Sequence, residues 1–195
     1  MSKILILVGP SGTGKTTMAR ELLQQVPHAR MIPSHTTRNP RETDLPGEYV
    51  YIDQETFEHY VHTDLFLWHV TRGATSYGTM RDDVFLFCDE GKHAIGIMIL
   101  VPSRVHHLEV AVRGQYREEV EIIPIFIHPP EETIIRERLR ARGEAEAEIE
   151  TRLQLEKDWH EEARATSPAF KFIQGGRDLS ELPRDVANVR LILGA

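Results

Sequence analysis

The sequence predicts an α/β fold, a parallel sheet with helices packed on both of its faces. Three observations predict it. Residues 3–8, a stretch within 93–101 and residues 121–128 are short apolar runs rich in Ile, Leu and Val that do not alternate with polar residues. Strands buried on both faces read this way. Segments of helical length and mixed polarity separate these runs, and strands alternating with helices build βαβ units. Finally, the first run leads straight into a glycine-rich turn, GPSGTGKT, with a helical pattern behind it.

Taken in order, residues 3–8 form the first strand and about 15–25 the helix after the turn. Residues 29–34 are the next strand. Residues 35–47, rich in Thr, Arg, Pro and Asp, read as an irregular loop. Residues 48–52 are a short strand, 54–62 a short helix, and 65–71 and 76–79 extended segments. A helix over 81–90 stops at Gly91, a residue suited to a C-cap. A helix follows Pro102. Pro124 makes the pairing of strand 121–128 irregular. Pro129 and Pro130 open a helix, since proline suits a first turn, and Gly143 interrupts it. One highly charged helix spans about 145–163. Residues 170–173 are the last strand and 179–193 hold the last helix.

The 195 residues are the length of one ordinary domain. The formal net charge of -7 disfavours general nucleic-acid binding, which needs a basic face. Any anionic ligand must then be held by a local cluster of cations and backbone N–H groups. The one cysteine, Cys88, reads as a buried, inert thiol, and no intrachain disulfide is possible. No apolar run reaches the ~18–20 residues of a membrane span. The N-terminal run lacks a cleavage site of small residues and enters the glycine turn directly, so a cytoplasmic location is expected.

The turn Gly9, Pro10, Ser11, Gly12, Thr13, Gly14, Lys15, Thr16 fits the pattern G-x-x-x-x-G-K-[ST], between a strand and a helix, as that pattern requires. The glycines allow torsions that turn successive N–H groups inward, and those donors together with the helix N-terminus attract phosphate oxygens. Lys15 is expected to reach the β- and γ-phosphates of a nucleoside triphosphate, and Thr16 to place its hydroxyl on Mg²⁺, with Thr17 next in the cradle. An ordinary glycine turn requires neither the lysine nor the threonine. The core is therefore read as a P-loop NTPase sheet, with ATP and Mg²⁺ as cofactors.

Beyond the loop the sequence resembles the guanylate kinase family. The resemblance is carried by SHTTRNPR (residues 34–41), by Gly47 and Tyr49, by SYGT (residues 76–79), and by RLRARG and TRL (residues 138–143 and 151–153). It implies a core of about 1–33 and 80–195, an acceptor-binding insertion of about 34–79 and a helical lid of about 143–163. It implies that Arg38 and Arg41 clamp an acceptor phosphate, that Tyr49 and Tyr77 donate hydroxyls to it, and that Ser34 and Thr79 contact the base. Arg138, Arg142 and Arg152 would close over the transferring phosphoryl group. Arginine suits these tasks because its planar fork bonds phosphate in pairs.

The sequence departs from the family where guanine is read. That family uses carboxylates there, and the corresponding positions hold Trp68, Ile97 and Ile99, with Asp44 or Glu48 as possible substitutes. LWH (residues 67–69) and LVPSRVHHLE (residues 100–109) are similar to segments of the ribose 1,5-bisphosphate phosphokinases, which share the fold and make phosphoribosyl diphosphate. Three functions follow as expectations. The first is transfer of the γ-phosphoryl group of ATP to a nucleoside monophosphate, GMP or dGMP. The second is phosphorylation of ribose 1,5-bisphosphate. The third is a non-catalytic binding module, disfavoured by the complete loop. Asp89 is a candidate for the outer shell of the metal.

Overall fold

The computed structural model describes residues 1–91, 93–175, 178 and 180–194. In chain order they form β1 (Ser2–Val8), α1 (Lys15–Gln25), β2 (Ala29–Met31), β3 (Ser34–Thr36), β4 (Tyr49–Tyr51), α2 (Gln54–His62), β5 (Phe66–Arg72), β6 (Thr75–Met80) and α3 (Arg81–Asp89). There follow β7 (Ile95–Ile99), α4 (Pro102–Tyr116), β8 (Val120–His128), α5 (Glu132–Ala141), α6 (Glu146–Glu156), α7 (Trp159–Ala165), β9 (Lys171–Gln174) and α8 (Leu182–Leu193).

The main sheet is five-stranded and parallel, in the order β2-β7-β1-β8-β9. Its apolar runs are explained by its two covered faces. Successive side chains of a strand point to opposite sides, and β1 divides accordingly. Ile4, Ile6 and Val8 pack with Val84 and Phe87 of α3, Val105, Leu108 and Val112 of α4, and Trp159 and Ala163 of α7. Leu5 and Leu7 pack with Met18, Ala19 and Leu22 of α1 and Val186, Val189 and Leu193 of α8. All five β1 side chains are fully buried, each contributing roughly 1.5–3 kcal/mol to stability.

A second, four-stranded sheet of order β4-β3-β6-β5 stands apart from the main one. Its β3 pairs parallel with β4 (Ser34↔Tyr49) and antiparallel with β6 (His35↔Gly78). A side chain at Gly78 would meet the Phe66 ring at 2.8 Å, so only glycine lets β5 and β6 close there.

The expected fold class stands, with local corrections. His35 and Thr36 are not loop; with Ser34 they form β3, because two later strands offer them backbone partners. The expected helix over 145–163 is two, α6 and α7, broken at Lys157 and Asp158 where the buried Glu156 meets Ser11. The pairing of β8 with β1 runs unbroken through Ile6↔Pro124, because the other neighbour, β9, joins only from Ile125. Pro129 and Pro130 precede the α5 N-cap, Glu131, rather than opening its first turn. The last helix, Leu182–Leu193, lies within the expected 179–193; Leu179 lies outside the described residues. Among the described residues no helix is long and apolar enough to cross a membrane.

Candidate active site

A cavity of about 600 Å³ lies where the carboxyl ends of β1 and β7 meet the second sheet and α6. Ligands of open parallel sheets bind at that end of the strands. Ser11, Gly12, Gly14, Lys15, Thr16 and Thr17 line one part of it. Gly9, Pro10 and Thr13 form the underside of the same loop, where Thr13 Oγ1 donates to the Pro10 carbonyl at 2.9 Å. A side chain at Gly9 would stand 2.6 Å from the Ile127 carbonyl, which fixes glycine at the exit of β1. Gly12 and Gly14 have φ of 77° and 96°, the left-handed region that favours glycine. Helix α1 begins without a capping side chain and with no acidic residue in its first turn. No residue of the helix itself therefore caps its first N–H groups or offsets the positive end of its dipole at the cavity.

Lys15 Nζ donates to the carbonyls of Gly9 at 2.6 Å and Pro10 at 2.8 Å. Burial lowers the pKa of this ammonium to about 8; Glu156 opposes the shift, and Arg142, Arg72 and Arg152 add to it. The loop thus stands in a concentration of positive charge.

Across the cavity lie Ser34, Arg38, Arg41, Tyr49 and Tyr77. Arg38 is held by Asp44 through two bonds of 2.8 and 3.0 Å, and its guanidinium lies over the Tyr49 ring at 4.7 Å. Asp44 also accepts from the Arg41 N–H at 2.7 Å and from the Tyr51 hydroxyl at 2.5 Å. Burial disfavours both charges, but the pair outweighs it: the Arg38 pKa is raised and that of Asp44 lowered. Asp44 thus ties Arg38, the Arg41 backbone and Tyr51 of β4 together and orients the arginine at the cavity wall. Glu48 is buried, accepts from the Leu45 N–H at 3.0 Å, and has its pKa raised by burial. Burial also raises the pKa of the Tyr49 hydroxyl, with Glu48 adding to it, so Tyr49 stays a donor.

Thr79 stands behind Ser34, its hydroxyl 3.2 Å from Ser34 Oγ and fully buried. Trp68 and Ile99 are in the cavity wall, with Val70 beside them. Ile97 is not; it is fully buried under α1 and α8. Arg142 and Arg152 line the cavity, the Arg152 guanidinium forming an ion pair with Glu144 at 2.9 Å. Burial lowers the Arg142 pKa, opposed by Glu144 and aided by Arg41, Arg138 and Arg152. Arg138 donates to the Gly12 carbonyl at 2.9 Å and so braces the loop from α5. Asp89 is bonded by the Tyr116 hydroxyl at 2.8 Å on α3 and does not line the cavity.

Sequence reasoning missed Arg72, Glu144, Glu156 and Trp159, all of which line the cavity. Arg72 ends a strand in which nothing distinguishes it, and the two glutamates are lost among the many charges of 144–162.

A family model described as "Guanylate kinase" matches residues 1–189. The guanylate kinase of Nostoc sp. is 35% identical over 159 residues, covering 80% of this chain and 75% of that one. That of Neisseria meningitidis serogroup A is 32% identical over 190 residues, covering 95% and 85%. The crystal structure of the guanylate kinase from Anaplasma phagocytophilum superposes with a TM-score of 0.62 at 21% identity, over 98% of this chain and 84% of that one, a likeness of fold. A family model spanning nearly the whole chain, relatives above 30% identity and a glycine loop facing an arginine and tyrosine cluster agree: the chain belongs to the guanylate kinase family of P-loop kinases.

Proposed function

We propose that this protein transfers the γ-phosphoryl group of ATP, bound with Mg²⁺, to the phosphate of a nucleoside monophosphate, with GMP and dGMP first among candidates. One observation carries the reading. The same cavity joins the glycine loop and Lys15 to the Arg38, Arg41, Tyr49 and Tyr77 cluster, so two phosphate-binding regions face one space. The core of about 1–33 and 80–195 would bind the nucleotide, the insertion of about 34–79 the acceptor, and the lid of about 143–163 would exclude water. Excluding water prevents wasteful hydrolysis.

An oxygen of the acceptor phosphate attacks the γ-phosphorus, the bond from that phosphorus to the bridging oxygen breaks, and ADP leaves. Such transfer needs positioning and charge neutralisation more than covalent help. Lys15, Arg142 and Arg152 supply positive charge along the path, and Arg38 and Arg41 hold the acceptor in line. Arg138 supports the loop at Gly12. Thr16 lines the cavity beside Lys15. Among the described residues no cluster of three or more His, Cys, Asp or Glu forms a cage for a metal. This donor set suits Mg²⁺ held by one hydroxyl, the nucleotide's phosphates and water. The ion would neutralise phosphate charge. A cytoplasmic location belongs to the same reading, supported by the family and by the free cysteine.

A second acceptor, ribose 1,5-bisphosphate, is favoured by the wall formed by Trp68, Val70 and Ile99. Guanine presents N–H donors, and the three side chains of this wall offer no acceptors for them, which weakens discrimination in its favour. The deciding experiment offers GMP, dGMP, AMP and ribose 1,5-bisphosphate with ATP and follows ADP. Turnover of GMP or dGMP supports the first reading, turnover of the sugar alone moves the assignment to the second, and turnover of none overturns both.

A further inference from the structure

If the glycine loop receives a nucleotide, as proposed above, one carboxylate stands in its way. Glu156, the last residue of α6, is 3% exposed. Its Oε2 accepts from the Ser11 N–H at 2.6 Å and its Oε1 from the Ser11 hydroxyl at 2.9 Å. Arg72, the last residue of β5, donates to the same Oε1 at 3.3 Å, and its guanidinium lies 4.6 Å over the Trp159 ring. Arg152 reaches Ser11 Oγ at 3.4 Å. All of these residues line the cavity.

A carboxylate this enclosed is tolerated because strong donors surround it. A main-chain N–H in a glycine loop, a hydroxyl and a guanidinium are also the donors that bind phosphate oxygens. Glu156 thus marks a point where the fold stabilises an oxyanion. The point is close to Lys15, whose ammonium responds to the charge of Glu156. In loops of this kind that lysine reaches the β- and γ-phosphates. A carboxylate and a phosphate do not share one set of donors, because like charges repel strongly where water is excluded.

We propose that Glu156 is a resident occupant of a nucleotide-phosphate subsite, and that Arg72 is the cation the phosphate takes over when Glu156 is displaced. Arg72 then joins the arginines that bind the triphosphate. Binding also requires the end of α6 to withdraw from Ser11, which couples the position of the lid to occupancy of the loop.

The test measures ATP–Mg²⁺ affinity by calorimetric titration for the wild type, Glu156→Gln and the double variant Glu156→Gln/Arg72→Ala. Glutamine keeps the shape and a bond to Ser11 but not the charge; Glu156→Ala replaces it should the first variant fail to melt cooperatively. The charge-removing variant is expected to bind ATP about tenfold more tightly. The double variant is expected to lose that gain. A charge-removing variant that binds no more tightly than wild type overturns the inference. So does a double variant that keeps the gain, because Arg72 would then not contact the phosphate. A wild-type protein that binds no ATP refutes the nucleotide reading underneath, an outcome distinct from either of these.

Discussion

Replacing Lys15 by methionine should abolish phosphoryl transfer while making the nucleotide-free protein more stable. Enclosure holds the pKa of the Lys15 ammonium at about 8, against 10.5 in an unfolded chain. At pH 7 the charged group therefore costs the fold about 3 kcal/mol. Part of this is offset by the bonds from Nζ to the Gly9 and Pro10 carbonyls, which methionine forfeits, each worth about 1 kcal/mol. The net gain is about 1–2 kcal/mol, raising Tm by roughly 2–8 °C for a chain of this size. The pH dependence carries a definite sign. Between pH 8 and 10.5 the unfolded chain keeps the proton that the folded protein releases, so the stability due to Lys15 rises with pH. The gap between variant and wild type should then narrow from pH 7 to pH 9.5. Thermal melts at both pH values, with an ADP-release assay alongside, measure all three effects. A methionine variant that melts below wild type at pH 7, or a gap that is the same at both pH values, refutes the reasoning.

Asp44→Ala removes the two bonds that orient Arg38 and should raise the acceptor KM about tenfold with the ATP KM unchanged, since a displaced clamp costs alignment; steady-state kinetics showing equal effects on both substrates would contradict this. His35 is buried, and burial lowers its pKa against the pull of Asp83, 3.7 Å away. Below about pH 6.5 the unfolded chain takes up the proton first, so stability should fall as pH drops. Urea unfolding at pH 7.5 and 5.5 should show that fall diminished in His35→Asn, and an unchanged pH slope would exclude His35 as its source. Burial, aided by Asp89, pushes the Cys88 thiol up to about 12. Iodoacetamide at pH 8 should therefore label the protein in denaturant and leave it unlabelled when native; rapid native labelling would show the thiol to be accessible.

The glycine loop and the main sheet were legible in the sequence because their determinants are local. Strand β1 is apolar from Ile4 to Val8 since both its faces are covered there, and Gly9, Gly12 and Gly14 sit where close approach or positive φ admits little else. Arg38 and Arg41, in the loop after β3, and Tyr49 and Tyr77 of the second sheet were expected from resemblance to a family, and they line one cavity; the roles that the resemblance implies are not contained in spacing alone. Less was legible where function depends on contacts distant in sequence. The role of Asp44 in orienting Arg38 became visible only with its bonds to that guanidinium, the Arg41 N–H and Tyr51. Ile97 and Ile99 differ by two positions on one strand, yet the first is sealed beneath α1 and α8 while the second lines the cavity.

What the sequence determined by itself was a βαβ sheet with a phosphate cradle after its first strand, because periodicity, glycine torsion and the lysine–threonine pair act over a few neighbouring residues. Only the tertiary structure decided which charges of residues 144–162 reach the cavity. Glu156 and Ser11 are 145 residues apart, and Arg72 and Glu156 are 84 apart. In an acidic, solvated helix one glutamate looks like any other. Burial against the glycine loop, bonded to Ser11 and Arg72, is what sets this one apart.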